Sequence, residues 1–181
     1  MADRFIGDVK VKWLSNPGPD RKMELLSAFS NVDPAGRRWE VPAGAKIDGA
    51  SIPQVFWPSF GPPFVGEYRR ASVVHDHYCD TKSESEFATH RMFYNGCRTG
   101  GVNALKASAM YAAVKTFGPH WKGPVTPEAI GAAPVVVPQI RAATDTDYFE
   151  IQKWIEETDP TLDEIDARIE EAGPLISVPT S

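Results

Sequence analysis

A short link between two helical patterns is the feature that most constrains the fold. Residues 67–80, EYRRASVVHDHYCD, have apolar side chains at helical spacing. A second helix is predicted over residues 84–97, because SESE at 83–86 has the form of a capping box that begins with Ser83. The link DTKSES leaves no room for a long crossover. The two helices are therefore expected to pack antiparallel as a hairpin.

The rest of the chain indicates an α+β fold: a small antiparallel sheet packed on a three-helix unit. A third helix, VNALKASAMYAAVKTF, ends at Gly118-Pro119. Three extended runs precede the hairpin, and Pro42 predicts an edge strand or a strand end in the last of them; they are FIGDVKVKWL, MELLSAFSNV and WEVPAGAKI. DGASIPQVFWPSFGPPFVG follows, and its four Pro and three Gly predict a packed loop without a regular element.

The C-terminal third has a different composition. We expect residues 1–120 to form an α+β core domain and residues 121–181 an extended Pro-rich arm that ends in two short helices. DYFEIQKWIEET and TLDEIDARIEEAG each carry an amphipathic stripe that needs a partner surface. That surface is either the body of the domain or another chain.

Charge and hydropathy limit the classes of partner. The net charge of −5 argues against nucleic acid or an anionic membrane as the main partner, since both require a basic face. No apolar run reaches the roughly 20 residues of a transmembrane helix, and the N-terminus lacks the apolar core of a secretory signal. Synthesis in a cytoplasm is the expectation, and homo-oligomerisation is left open.

Reactive side chains concentrate in the hairpin. Residues 69–97 contain three of the four histidines and both cysteines. His75 shares a helical face with Cys79, whereas Asp76 points elsewhere. In an antiparallel hairpin His75 can face His90, and a histidine pair beside a carboxylate can bind a divalent metal or position a water for attack. A hydrogen-bonded pair in the core is the alternative.

Two motifs resemble the domain of unknown function 1353 family of phages and bacteria. They are WEVPAGAKIDGASIPQVFW and YRRASVVHDHYCD, followed by FATHRMFYNGC and MYAAVKTFG, so the resemblance extends from about Trp39 to Gly118. The resemblance implies an acidic residue on the second helix, and this chain has His90 at that position, or Thr89 if that is the equivalent residue. That difference favours metal binding, or loss of activity, over a simple His–Asp dyad.

The hairpin also resembles the two catalytic helices of phospholipase A2. The resemblance implies that His75 is the general base for a water, Asp76 a calcium ligand and Tyr78 a supporting phenol. It also implies that the loop at Asp48 lies near the metal and that His90 stands in the place of the orienting Asp.

Six residues therefore make up the predicted site. A Ser51 nucleophile is not expected, because the G-x-S-x-G spacing is absent. A divalent metal bound there would be calcium or zinc, and the alternative is a site without a cofactor. The predicted roles are catalytic for His75, Asp76 and His90, substrate-binding for Asp48, Ser51 and Tyr78, and metal-ligating for Asp76, His90 and Asp48.

The sequence supports two hypotheses about function. The first is a phage-type, virion-associated protein with a His/Asp hydrolase-like site directed at the host cell envelope. The second is a non-catalytic component of a phage tail, baseplate or connector, which docks other phage structural proteins through its C-terminal arm. In both, the chain is made in the host cytoplasm before it joins the particle.

Overall fold

The computed structural model describes residues 4–15, 22–48, 57–61, 65–121, 123 and 144–172. Within these ranges the fold is α+β, as the sequence predicts, but the strands form two small antiparallel sheets instead of one. The first sheet has the order β1-β4-β5 and the second the order β2-β3-β6. The strands are β1 (Arg4–Ile6), β2 (Val11–Trp13), β3 (Met23–Leu25), β4 (Phe29–Val32), β5 (Arg38–Val41) and β6 (Lys46–Ile47).

Each of the three extended runs in the sequence breaks in the middle and supplies one strand to each sheet. Asn31 faces Trp39 in the first sheet, and Glu24 faces Lys46 in the second. Gly7 marks the first break, with a φ of +84° and a Cβ position only 3.1 Å from the carbonyl oxygen of Ala28. A side chain would be strained and crowded there. Pro42 follows the end of the edge strand β5, in agreement with its prediction.

Helices α2 (Arg69–Thr81) and α3 (Glu86–Thr99) form the predicted hairpin, and α4 (Ala104–Phe117) packs against α3. The predicted cap of α3 was wrong by two residues. The side chain of Ser85 accepts a hydrogen bond from the backbone N–H of Ala88, whereas the Ser83 hydroxyl bonds to Thr81. Because α3 starts later, the carboxylate of Glu86 is free of a capping role and bonds elsewhere.

One regular element lies inside the segment predicted to have none. Helix α1 (Trp57–Phe60) is a single turn within DGASIPQVFWPSFGPPFVG. Pro58 occupies its second position, where the missing N–H of proline costs no intrahelical bond.

The two C-terminal helices pack on the body of the domain. Helices α5 (Asp145–Thr158) and α6 (Leu162–Ala172) both contact α4. Ile155 and Ile165 are at most 1% exposed and belong to the same apolar cluster as Phe93 and Tyr111. Of the two partner surfaces that the sequence left open, the stripes of α5 and α6 therefore use the body of the domain. A buried carboxylate reinforces this contact, since Asp166 accepts hydrogen bonds from side chains of α3 and α4.

A second apolar cluster lies between the sheets and the hairpin. It holds one face of α2 against both sheets through Val73 and Val74. Its other members are Met23, Leu25, Phe29, Trp39, Val41, Ile47 and Met92. Helix α2 therefore lies in the middle of the molecule, with the sheets on one side and α3 on another.

Candidate functional site

The predicted histidine pair forms at the centre of the α2–α3 hairpin. His75 Nε2 lies 2.9 Å from His90 Nδ1, and both side chains are fully buried. The ring of Phe93 packs 4.6 Å from that of His75. The pair meets because each histidine lies near the middle of its helix and the helices run antiparallel, as the short link dictates.

Cys79 completes a compact group with the two histidines. One helical turn after His75, its Sγ lies 3.6 Å from His75 Nε2. One ligand atom from each of these three side chains lies within 4.8 Å of the others. We call His75, Cys79 and His90 the hairpin cluster.

Burial fixes the protonation of the hairpin cluster. Loss of water around the ring lowers the pKa of His75 to about 3. Burial, reinforced by the neighbouring His75, holds the pKa of His90 well below its ordinary value. Burial, followed by the negative charges of Asp76 and Glu86, raises the pKa of Cys79. At neutral pH the cluster therefore consists of two neutral imidazoles and a thiol.

A cleft of about 280 Å³ opens beside the cluster, between α2 and the second sheet. Asp76 is 7% exposed, and its Oδ2 accepts a hydrogen bond of 2.8 Å from the backbone N–H of Asp48. That bond ties the predicted Asp48 loop to the helix and fixes the orientation of the carboxylate. The lining residues are Lys22, Lys46, Ile47, Asp48, Asp76, Cys79, Asp80 and Pro119.

A second polar network lies on the other side of His90. Glu86 Oε1 lies 3.8 Å from His90 Nε2 and 2.8 Å from His120 Nδ1. The backbone N–H of Trp121 donates to Glu86 Oε2, and the Trp121 ring packs edge-on over His90. The hydrogen bond to Glu86 is the leading cause that raises the pKa of His120.

The structure divides five of the six predicted site residues among three places, and the sixth lies outside the described residues. Asp48 and Asp76 line the cleft, whereas His75 and His90 lie in the hairpin cluster and do not line it. The Tyr78 hydroxyl bonds to the backbone of Glu40 in β5, and neither of these residues is among those that line the cleft. Ser51 lies outside the described residues.

Sequence reasoning missed several members of the site. The i,i+4 spacing identifies Cys79 as a neighbour of His75. The spacing does not show that Cys79 also lines the cleft. Glu86 meets His120 across 34 residues of chain. Of the two cleft lysines, Lys22 directly precedes β3 and Lys46 begins β6. No spacing in the sequence encodes these approaches.

Comparison with known proteins identifies the same family as the sequence motifs of the hairpin and of β5. The model of a family described as protein of unknown function (DUF1353) matches residues 23–114. The chain belongs to this family. The matched region contains the hairpin cluster and the carboxylates that line the cleft. It also contains β3 and β6, the two strands beside the cleft. No solved structure matches the chain.

Two curated relatives come from Sinorhizobium fredii. The uncharacterized protein y4jT is 54% identical over 103 residues, which cover 57% of this chain and 31% of the relative. The uncharacterized protein y4iH is 42% identical over 106 residues, which cover 58% of this chain and 44% of the relative. The chain thus spans less than half the length of either relative. Neither of these names states an activity.

Proposed function

We propose that the chain is a small phage-type hydrolase, whose cleft between α2 and the second sheet acts on a lipid or cell-wall polymer of the bacterial envelope. The observation that supports this most strongly is the placement of Asp76. Its carboxylate is almost fully buried, lines an open cleft and is held by a backbone N–H. A carboxylate oriented in this way is suited to take a proton from an attacking water.

The charges around the cleft support a polar substrate. Lys22 and Lys46 lie on the side of the second sheet and can attract a phosphate or carboxylate group. Asp76 and Asp80 lie on the side of α2. A substrate that carries an anionic group would therefore be held on the lysine side, with its scissile bond towards the carboxylates.

The geometry favours Asp76 over His75 as the group that contacts water. The rings of His75 and His90 are fully buried, and neither lines the cleft. In this proposal the histidines lie behind the wall that carries Asp76. The phage attribution is what the resemblance of the sequence motifs implies. In this proposal the protein is made in the host cytoplasm and then joins the particle.

The burial of His75 and His90 also supports the alternative, a non-catalytic structural protein. A sealed histidine pair packed against Phe93 is typical of a core, as expected for a non-catalytic tail, baseplate or connector protein. Such a protein would contact other phage proteins through its C-terminal arm.

None of the described helices is both long and apolar enough to cross a membrane.

An activity screen with one cleft variant distinguishes the two. Purified chain is incubated with phospholipid vesicles and with cell-wall fragments, and released fatty acids, amines and reducing ends are measured. Asp76→Asn keeps the shape and the acceptor for Asp48, but it should reduce turnover by about 100-fold or more. Asp163→Asn, on the exposed face of α6, is the control with unchanged turnover. Absence of product from both substrate classes, or full activity in Asp76→Asn, would favour the structural alternative.

A further inference from the structure

We propose that the hairpin cluster, His75, Cys79 and His90, binds one divalent ion of the zinc type. Among the described residues, this is the one group of three or more His, Cys, Asp or Glu side chains close enough to share an ion. It differs from the set predicted from the sequence, because Asp48 and Asp76 line the cleft and only His90 is common to both sets. The inference does not depend on hydrolase activity, since binding is measured without a substrate.

The distances are close to those of a tetrahedral site. With metal–nitrogen and metal–sulfur bonds of about 2.0 and 2.3 Å, ligand atoms lie roughly 3.3–3.7 Å apart. The 3.6 Å between His75 Nε2 and Cys79 Sγ is within that range. To bind the ion, the two imidazole nitrogens, now 2.9 Å apart, have to move slightly apart. Ligand atoms of the cluster that are up to 4.8 Å apart have to approach each other by about 1 Å.

The donor atoms select the type of ion. Two imidazole nitrogens and one sulfur suit zinc and cobalt, whereas calcium requires a shell of six to eight oxygens. The hairpin cluster thus favours zinc between the two metals that the sequence suggested. Three protein ligands also leave a fourth position for water or another group, as in catalytic zinc sites.

Glu86 is placed to orient one of the ligands. His90 Nδ1 faces His75, so His90 Nε2 is turned away from the cluster and lies 3.8 Å from Glu86 Oε1. That buried Nε2 has no hydrogen-bond partner among the residues that the structure describes. Metal-bound histidines commonly donate their other ring N–H to a carboxylate, which fixes the tautomer. A small shift of the Glu86 side chain would supply this bond and satisfy an unpaired polar atom.

Protonation and access are compatible with binding. Both imidazoles are neutral, which is the form that coordinates metals, and Cys79 must lose its thiol proton to solvent as the metal–sulfur bond forms. Burial first, and then the carboxylates of Asp76 and Glu86, raise the pKa of Cys79, but the negative charges of those carboxylates also favour a cation there. Cys79 also lines the cleft, so the ion has a route from solvent that does not pass through the core.

Cobalt is the probe for the first test. The metal-free full-length chain is titrated with Co²⁺, and the thiolate-to-metal absorption in the near ultraviolet is recorded. Wild type and Cys97→Ser should show a band that saturates at one equivalent and is displaced by zinc. Cys97 is the matched control, since it is also a buried free cysteine but is not part of the cluster. Cys79→Ser should lack the band, and Glu86→Gln should weaken the affinity by about 10–100-fold.

A second measurement uses the wild-type chain alone, in case Cys79→Ser does not fold. Alkylation of each cysteine is followed by mass spectrometry with and without one equivalent of zinc. Zinc should slow the alkylation of Cys79 by at least 10-fold and leave Cys97 unchanged. Equal rates at Cys79 in both conditions, or a cobalt band that survives in Cys79→Ser, would overturn the inference. The histidines would then be a hydrogen-bonded core pair.

Discussion

The carboxylate of Asp166 provides the sharpest test of how the C-terminal helices are held. Asp166 lies on α6, is 7% exposed and accepts hydrogen bonds from Tyr111 and Arg91 at 2.6 Å each. Lys115 Nζ lies 2.9 Å from Asp166 Oδ1, the oxygen that also accepts from Tyr111, whereas Arg91 donates to Oδ2. Asp163, one turn earlier, also bonds to Arg91, but its side chain is 87% exposed. Two carboxylates on one helix thus share a partner and differ in burial.

The structure predicts very different costs for neutralising the two. Asp166→Asn leaves Lys115, whose side chain is 11% exposed, without its buried counter-charge. Breaking such a pair costs about 3 kcal/mol, at the lower end of the range for buried ion pairs, because Arg91 keeps Asp163 as a partner. Asp163→Asn removes an exposed pair that contributes about 0–1 kcal/mol.

Urea denaturation followed by circular dichroism measures both costs. We expect the free energy of unfolding to fall by about 3 kcal/mol in Asp166→Asn and by less than about 1 kcal/mol in Asp163→Asn, with similar m-values. Equal losses in the two variants would refute the reasoning. So would a large loss in Asp163→Asn alone.

Three further predictions concern pH, packing and a side-chain hydrogen bond. Burial alone raises the pKa of Asp166, but the bonds from Arg91, Lys115 and Tyr111 outweigh it and hold the pKa below its ordinary value of 3.8. Its stabilisation is therefore complete above about pH 4 and is lost as the pH falls through the folded-state pKa, so wild type should lose more stability than Asp166→Asn in an acid titration. Gly96→Ala should lower the unfolding free energy by about 1–3 kcal/mol, because the new Cβ would lie 2.9 Å from that of Ala71; an unchanged melting temperature would contradict this. Tyr78→Phe should cost about 1 kcal/mol in urea denaturation, through loss of the bonds to the Glu40 backbone, and a neutral result would mean that water replaces them.

The sequence predicted those features that depend on local periodicity and short links. Helical spacing placed α2 and α3, and the short link made them antiparallel, which is sufficient to bring His75 to His90. The amphipathic stripes of α5 and α6 predicted two helices that need a surface. They did not identify α4 as that surface, because a stripe specifies only that a face is apolar.

The features that the sequence did not predict depend on where the chain turns. Alternation of apolar and polar residues continues through Gly7, so the first run looked like one strand, although its halves belong to different sheets. The folding of those sheets against α2 then creates the cleft. The approach of Glu86 to His120 likewise depends on the path of the chain after α4.

Anomalous X-ray diffraction at the zinc edge, on crystals grown with one equivalent of zinc, tests the central claim most directly. The account predicts one strong peak within bonding distance of His75 Nε2, Cys79 Sγ and His90 Nδ1, with Glu86 moved to within hydrogen-bonding distance of His90 Nε2. A crystal of the zinc-treated protein with no peak in the hairpin, or with its peak at Asp48 and Asp76 in the cleft, would contradict it.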